Sequence, residues 1–329
     1  MKTESPKRGV LLGDWGHYGE VLREIEADGG RIRMVGSATS GTEAADLLRE
    51  ARPDFAIVSA PPGRIAELAT LAANVGCHVI CEKPLAVDLD SLDSLRAAVE
   101  RAGVLVCPML PTRARPALAA TVEAIRSGAI GKPLLLSARK TYKWGKREPW
   151  FNDRAAYGGT IPWIGIHALD FIDAATNGDP VAEVSAFHAN LAHREMPCCE
   201  DVCVLSMRLA SGALATATLD YLRPDSPVPH GDDFLRVAGE RGEITAWIDR
   251  GRAEILLPGQ PPRALALPPP APFFTPWIEA LPRRGERAAP DATTLRAFRL
   301  TREALCAREA ADGGKTISIR RKDGGALPF

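Results

Sequence analysis

Gly76-Cys77-His78-Val79-Ile80-Cys81-Glu82-Lys83-Pro84 decides the reading of this chain. His78-Val79-Ile80 is short and β-prone, and Gly76 closes a helical pattern over residues 65–75. Pro84 bars a regular ladder or helix where the strand ends, so Lys83 is expected on a fixed corner. A lysine at the carboxyl end of a parallel strand points into the crevice where such sheets bind ligands. An isolated Glu-Lys-Pro is a weak motif that reads first as an ordinary surface turn, and its meaning rests on the pattern around it.

Outward from that stretch, short apolar runs alternate with helical patterns. Strands are expected at residues 9–12, 32–37, 55–59, 79–81 and 104–106, with helices at 18–27, 42–50, 65–75 and 91–101. This alternation predicts a Rossmann-type, doubly wound parallel sheet. From Pro133 the texture changes. Strands are expected at 133–142, 181–190, 202–209, 213–222, 235–239 and 243–248, with one helix at about 164–176. Hairpin-length links predict a second, α+β domain with a large and mostly antiparallel sheet. Residues 256–276 are proline-rich and read as an irregular crossing segment. A last helix, 293–311, follows Asp291 as its cap. The expected division is a dinucleotide-binding domain over 1–117 and a substrate-binding and oligomerisation domain over 118–329, the last helix packing back on the first domain.

The chain has 329 residues, 46% of them hydrophobic, enough for a substantial core. Forty-one basic residues balance forty-one acidic ones, so no overall field draws nucleic acid or an anionic membrane. The apolar runs are strand-length and too short to span a bilayer. Residues 1–8 are polar and lack a signal-peptide apolar region, which makes the cytoplasm the expected location. Cys77, Cys81, Cys107 and Cys306 lie in apolar segments and read as buried thiols. Cys198, Cys199 and Cys203 are closer to a metal pattern. Cys203 falls inside an alternating strand, however, and no Cys-x-x-Cys follows, so no metal is expected.

After the first strand comes Gly13-Asp14-Trp15-Gly16-His17-Tyr18-Gly19. A dinucleotide turn wants Gly-x-Gly-x-x-Gly for a tight turn and a close approach to pyrophosphate. Gly16 and Gly19 fit, Asp14 stands at the first glycine position, and Gly13 is one place early. The Asp14 side chain must therefore turn away from a bound cofactor. Strand two ends in Ser37-Ala38-Thr39-Ser40, without the acid that usually holds the adenosine ribose, so a choice between NAD and NADP stays open.

These pieces together resemble the family of glucose–fructose oxidoreductase and inositol dehydrogenase (Gfo/Idh/MocA) over nearly the whole chain. Ser59-Ala60-Pro61-Pro62 is similar to the family's Thr-Pro-Pro loop under the nicotinamide, and residues 76–84 to its Gly-Lys-His-Val-x-x-Glu-Lys-Pro. Arg113 and Pro116 resemble its Arg-x-x-Pro, and Gly128-Ala129-Ile130-Gly131 its Gly-x-Ile-Gly. Gly158-Gly159-Thr160 through His167-Ala168-Leu169-Asp170 resembles its glycine-rich entry to a His-x-x-Asp helix. The resemblance implies NAD or NADP bound by Gly13, Trp15, Gly16, His17, Tyr18, Thr39, Ala60, Pro61, Pro62, Glu82 and Lys83. It implies oxidation or reduction of a secondary alcohol on a sugar, polyol or sugar acid. Lys83 would hold the reacting oxygen and His167 would exchange its proton. Substrate contacts would come from Trp163, Tyr157, Asp170, Tyr142 and Arg113, and a homo-oligomer, dimer or tetramer, would form through the second sheet.

One departure stands out. Where the family often has an aspartate four residues before the histidine, this chain has Trp163. Either His167 acts without that partner, Asp153 or Asp170 substitutes, or the reaction has changed. Trp163 could instead stack on a sugar ring. The basic and aromatic run from Arg139 to Phe151 suits an acidic or ring-shaped substrate, or it is a solvated loop. Two other readings remain at this point: a nucleotide-binding regulatory protein without catalysis, and a nicotinamide-assisted glycoside-cleaving enzyme.

Overall fold

The computed structural model describes residues 5–282 and 284–319. The chain divides into two compact units. The first comprises Met109 and the residues before it with Pro272–Thr301, and the second Leu110–Ala271 with the residues from Arg302 on.

The first unit opens with β1 (Lys7–Leu12), α1 (Tyr18–Ala27), β2 (Ile32–Ala38), α2 (Gly41–Ala51) and β3 (Phe55–Val58). It continues through α3 (Pro62–Asn74), β4 (His78–Cys81), α4 (Leu89–Ala102) and β5 (Val106–Pro108). The second unit holds α5 (Pro116–Arg126), β6 (Pro133–Lys143), the short α6 (Arg154–Tyr157), α7 (Ile166–Ala175) and β7 (Val181–Ala189). Then follow β8 (Val202–Leu209), β9 (Leu214–Arg223), β10 (Phe234–Gly239), β11 (Gly242–Trp247), β12 (Arg252–Leu256) and β13 (Arg263–Ala264). Last in chain order come α8 (Thr275–Glu279), which belongs to the first unit, α9 (Ala292–Gly313) and β14 (Ile317–Ser318).

The first sheet has the order β2-β1-β3-β4-β5 with every recorded pair parallel, the expected doubly wound arrangement. All residues of β3 and β4 are buried, as befits strands covered on both faces. Val21 and Ile25 of α1 pack with Phe55, Ile57, Ile80 and Cys107, and Phe274, just before α8, and Ile278 of α8 close this core. One acid fixes that closure: the Glu24 carboxylate accepts from the N–H groups of Phe273, Phe274 and Thr275 at 2.9, 2.8 and 3.1 Å. The Thr294 hydroxyl accepts from Val106 N at 2.9 Å, and the Asp291 carboxylate caps α9 by accepting from Thr294 N at 2.7 Å.

Among the described residues the second sheet has nine strands, in the order β13-β12-β11-β10-β6-β9-β8-β7-β14. Its one recorded parallel pair is β6 with β9, and the other pairs are antiparallel. Burial alternates residue by residue along β8 and β9, so one face of the sheet lies on the core and the other points outward.

The structure shifts one strand and adds elements. β5 begins at Val106 rather than Val104, because the Leu105 amide is taken by a side chain: Leu105 N donates to His78 Nδ1 at 2.9 Å. That contact makes His78 a neutral acceptor, and burial, with the Lys7 charge second, pushes its pKa down to about 4. The unfolded ring takes up its proton near pH 6.5. Protons therefore bind the unfolded chain first, and stability is lost as pH falls from about 6.5 to about 4. The expected loss is about 3 kcal/mol at about 1.4 kcal/mol per pH unit. Urea midpoints at pH 7 and pH 4.5 should differ accordingly, and His78→Gln should flatten that slope.

Candidate active site

In the first unit the loop after β1 is pressed against the ends of β3 and β4. Gly13 has φ 93° and donates its N–H to Ala38 O at 2.8 Å. Trp15 N donates to Ser59 O at 3.1 Å, and Ser59 Oγ donates back to Trp15 O at 2.9 Å. A Cβ on Gly13 would stand 2.2 Å from Ser59 O. A Cβ on Gly16, whose φ is 119°, would stand 2.7 Å from Glu82 Oε1 and 2.8 Å from Ser59 Oγ. Only glycine fits at either place. The turn thus comes as close to the strand ends as a dinucleotide turn requires, despite Asp14 at the usual glycine position.

Glu82, expected at the cofactor, is the keystone of this loop. It is fully buried. Its Oε1 accepts from His17 N at 2.6 Å and pairs with His17 Nδ1 at 2.5 Å, while its Oε2 accepts from Lys83 N at 3.1 Å. Burial pushes the carboxyl pKa up, but the hydrogen bond and charge of His17 and the charge of Lys83 outweigh it, so the group lies below its ordinary value. One ionised carboxylate therefore ties the glycine turn to the peptide of Lys83. Lys83 itself is 2% exposed, and its peptide bond to Pro84 is cis.

The end of β2 supplies a feature that sequence order hides. Ser40 caps α2 by accepting from Glu43 N at 3.2 Å, and Glu43 returns a carboxylate oxygen to Ser40 N at 3.2 Å. The same carboxylate accepts from Thr39 N at 3.4 Å. Glu43 so brings to this strand end the acid that the strand lacks. Arg64 of α3 donates to Thr39 O at 3.4 Å, so a guanidinium also reaches a place where the local sequence has none. Ala60 is buried, and Pro61 and Pro62 open α3.

In the second unit, α7 is buried along its whole length, and His167 on it is 7% exposed. Arg113 and Asp170, both expected at the substrate, are bonded to each other. Arg113 Nε donates to Asp170 Oδ1 at 2.7 Å and Nη2 to Asp170 O at 3.2 Å, and the same guanidinium pairs with Asp173. Asp170→Asn keeps the shape and removes a buried charge from this network, so it should cost about 2 kcal/mol of stability. The urea midpoint measures it, and NADH affinity should not change. Trp163 lies in a π-helical turn (Ile161–Gly165) before α7, 6% exposed, with its ring edge-on to Phe151 at 6.2 Å. Tyr157 is fully buried, its hydroxyl bonded to Thr160 Oγ1 at 2.9 Å and to the Tyr221 hydroxyl at 3.2 Å. It braces the turn from inside. Asp153 accepts from Ala155 N at 2.9 Å as the cap of α6.

Lys140 on β6 gave no signal beyond its place in a basic run. It is 3% exposed, donates to Asp233 Oδ2 at 2.6 Å and lies 4.8 Å from the Tyr142 ring centre. Tyr142 in turn stacks on His230 at 4.7 Å. Among the described residues no group of three His, Cys, Asp or Glu is placed to hold a metal ion. Burial pushes the Cys199 thiol up to about 11 and holds Cys203 well above its ordinary value. Among the described residues no helix is long and apolar enough to cross a membrane.

Residues 31–109 match the model of an oxidoreductase family with an NAD-binding Rossmann fold, and residues 118–245 match the GFO/IDH/MocA C-terminal domain. The chain is 28% identical to a D-apiose dehydrogenase of Paraburkholderia graminis over 268 residues, covering 78% of this chain and 69% of that one. It is 30% identical to a 1,5-anhydro-D-fructose reductase of Ensifer adhaerens over 182 residues, 55% of this chain and 54% of the relative. Of this second relative it thus spans about half. An oxidoreductase structure from Thermotoga maritima superposes with a TM-score of 0.83 at 24% identity, covering 95% of this chain and all of that one. With its glycine-cradled turn, parallel first sheet and large second sheet, the chain belongs to the Gfo/Idh/MocA family of NAD-binding oxidoreductases.

Proposed function

We propose that this protein is an NAD-dependent dehydrogenase acting on a secondary alcohol, or the matching ketone, of a sugar, polyol or sugar acid. The observation that carries the reading is Glu82. Its carboxylate fastens the nucleotide turn at His17 and the peptide of Lys83 in one buried arrangement, so cofactor loop and reactive lysine are held by the same group. Bound nicotinamide supplies the hydride acceptor or donor. Gly13, Gly16 and the N-terminal turn of α1 would receive its pyrophosphate. Lys83 is proposed to bind the reacting oxygen and to offset its developing negative charge. His167 is proposed to take the hydroxyl proton in oxidation and return it in reduction, and Trp163 and Tyr142 to border the sugar. Self-association belongs to the same reading, supported by Phe187, Val204, Leu214 and Leu222, exposed on the outer face of the second sheet.

Calorimetric titration with NAD(H) and NADP(H) in parallel tests the foundation. Micromolar binding of NAD(H) is expected. Absorbance of reduced nicotinamide over a panel of sugars, polyols and sugar acids then reads the reaction. No binding at millimolar cofactor would overturn the proposal.

A further inference from the structure

The surroundings of Arg147 in the second unit do not account for its charge. Its guanidinium lies within a cage of rings, 4.1 Å from the centre of Tyr221, 4.9 Å from Trp144 and 5.0 Å from Phe151. Trp144 is itself backed by His193, ring on ring at 3.8 Å. The Nε and Nη2 atoms are buried and have no hydrogen-bond partner among the described residues. Ring faces attract the charge but cannot accept two directed N–H bonds at the guanidinium edge. A buried donor pair without acceptors is costly, and proteins keep such groups where function uses them.

The acids nearby are committed elsewhere. Glu148 pairs with Lys146, Glu200 with Arg154, and Asp225 with Lys143. Asp201 spends its oxygens on the N–H groups of Leu191, Ala192 and His193. The uncompensated charge is felt by neighbours: partial burial, and then Arg147 ahead of Lys143, Lys140 and Arg223, holds the His230 imidazole below its ordinary pKa.

The two open donors are the side-on edge of the guanidinium, where Nε–H and an Nη2–H point the same way. That edge matches the two oxygens of a carboxylate. The same chain shows the match in use: Arg250 gives Nε to Asp232 Oδ1 at 3.0 Å and Nη2 to Oδ2 at 2.7 Å. We propose that Arg147 is an anion subsite, and that the carboxylate of a sugar acid completes its side-on fork. The inference rests on the dehydrogenase reading above and narrows its substrate class. Because Nε and Nη2 are shut away from water, the ligand enters by displacing the loop that carries them.

Matched pairs of ligands test this in the full-length protein with NADH bound: aldonates against alditols, and uronates against aldoses, in gluco, galacto and manno configurations. Affinities come from calorimetry, so no turnover is needed. At least one acid should bind roughly 10- to 100-fold tighter than its neutral partner, the range of a charge-assisted bidentate contact. R147M, which keeps the bulk inside the cage, should abolish that preference while leaving neutral ligands and NADH within about twofold. R147K retains the charge without the fork and should lose part of the preference, and it reads the same contrast should R147M fail to fold. Glucose 6-phosphate distinguishes a phosphate from a carboxylate as the anion. If it binds in an Arg147-dependent way and no sugar acid does, the carboxylate assignment is wrong. If no acid outbinds its neutral partner, or R147M weakens both alike, Arg147 is a packing residue. Acid binding that depends on Arg147 without any NAD reduction would instead keep the subsite and sink the dehydrogenase reading.

Discussion

Lys83→Ala should lower kcat/KM by about 10³- to 10⁴-fold while NADH affinity stays within about threefold, the scale set by losing one charged transition-state donor. The two halves of that expectation have separate physical sources. The nucleotide turn is fixed by Glu82 through His17 N and through the close packing of Gly13 and Gly16 on Ser59. Alanine leaves all of these in place, including the backbone N–H of residue 83 that Glu82 Oε2 accepts at 3.1 Å. What alanine removes is an ammonium held on a fixed corner with 2% exposure, and no water-borne group replaces it at the same place. Lys83→Arg separates charge from proton transfer. A guanidinium keeps the positive charge but does not release a proton, so partial recovery would assign Lys83 to charge stabilisation alone. Turnover within tenfold of the parent would remove Lys83 from the chemistry.

The parts legible in the sequence were those with local causes. β8 was readable to the residue because Cys203, Leu205, Met207 and Leu209 put an apolar side chain at every second position, and these are the buried ones. α9 was readable because Asp291 caps it, which the bond from Thr294 N to its carboxylate bears out. β5 slipped by two residues because the Leu105 amide bonds to the ring of His78, a contact across the sheet with no trace in the strand's own pattern. α5 also has local causes, with Pro116 at its first turn and Leu118, Thr121 and Ile125 buried at helical spacing.

The site follows the same division. The glycines, Glu82 and Lys83 stand out as candidates because strand, turn and corner are local events. Their partners do not. Asp170 and Arg113 were each picked out, but they lie 57 residues apart and only the fold shows them bonded to each other. Glu43 was hidden because its carboxylate reaches Thr39 and Ser40 from the helix beyond. The cage around Arg147 closes with Tyr221, contributed by β9, a strand distant in sequence.

Gly13→Ala should be the most damaging small change in the first unit, and Gly76→Ala the control that shows why. Both glycines have positive φ, 93° and 74°. Alanine in the left-handed region costs about 1–2 kcal/mol at either position. They differ in what the new methyl meets. At Gly76 there is no atom within 4 Å, so the cost should stop at the backbone term. At Gly13 the Cβ would stand 2.2 Å from Ser59 O and 2.9 Å from Ser59 C, backbone atoms of the β3 end that cannot swing aside. Moving them breaks the bond from Ser59 N to Leu12 O at 2.9 Å and the bond from Trp15 N to Ser59 O at 3.1 Å. The expected loss is about 4 kcal/mol or more, in the far tail of single substitutions. NADH affinity should fall at least about 100-fold in whatever fraction stays folded, because the turn proposed to receive pyrophosphate is the part displaced. Urea unfolding and NADH titration of the two variants side by side measure both effects. Equal, mild losses at the two positions would mean that the loop after β1 does not pack on Ser59 as described, and the cradle argument for the cofactor would fall with it.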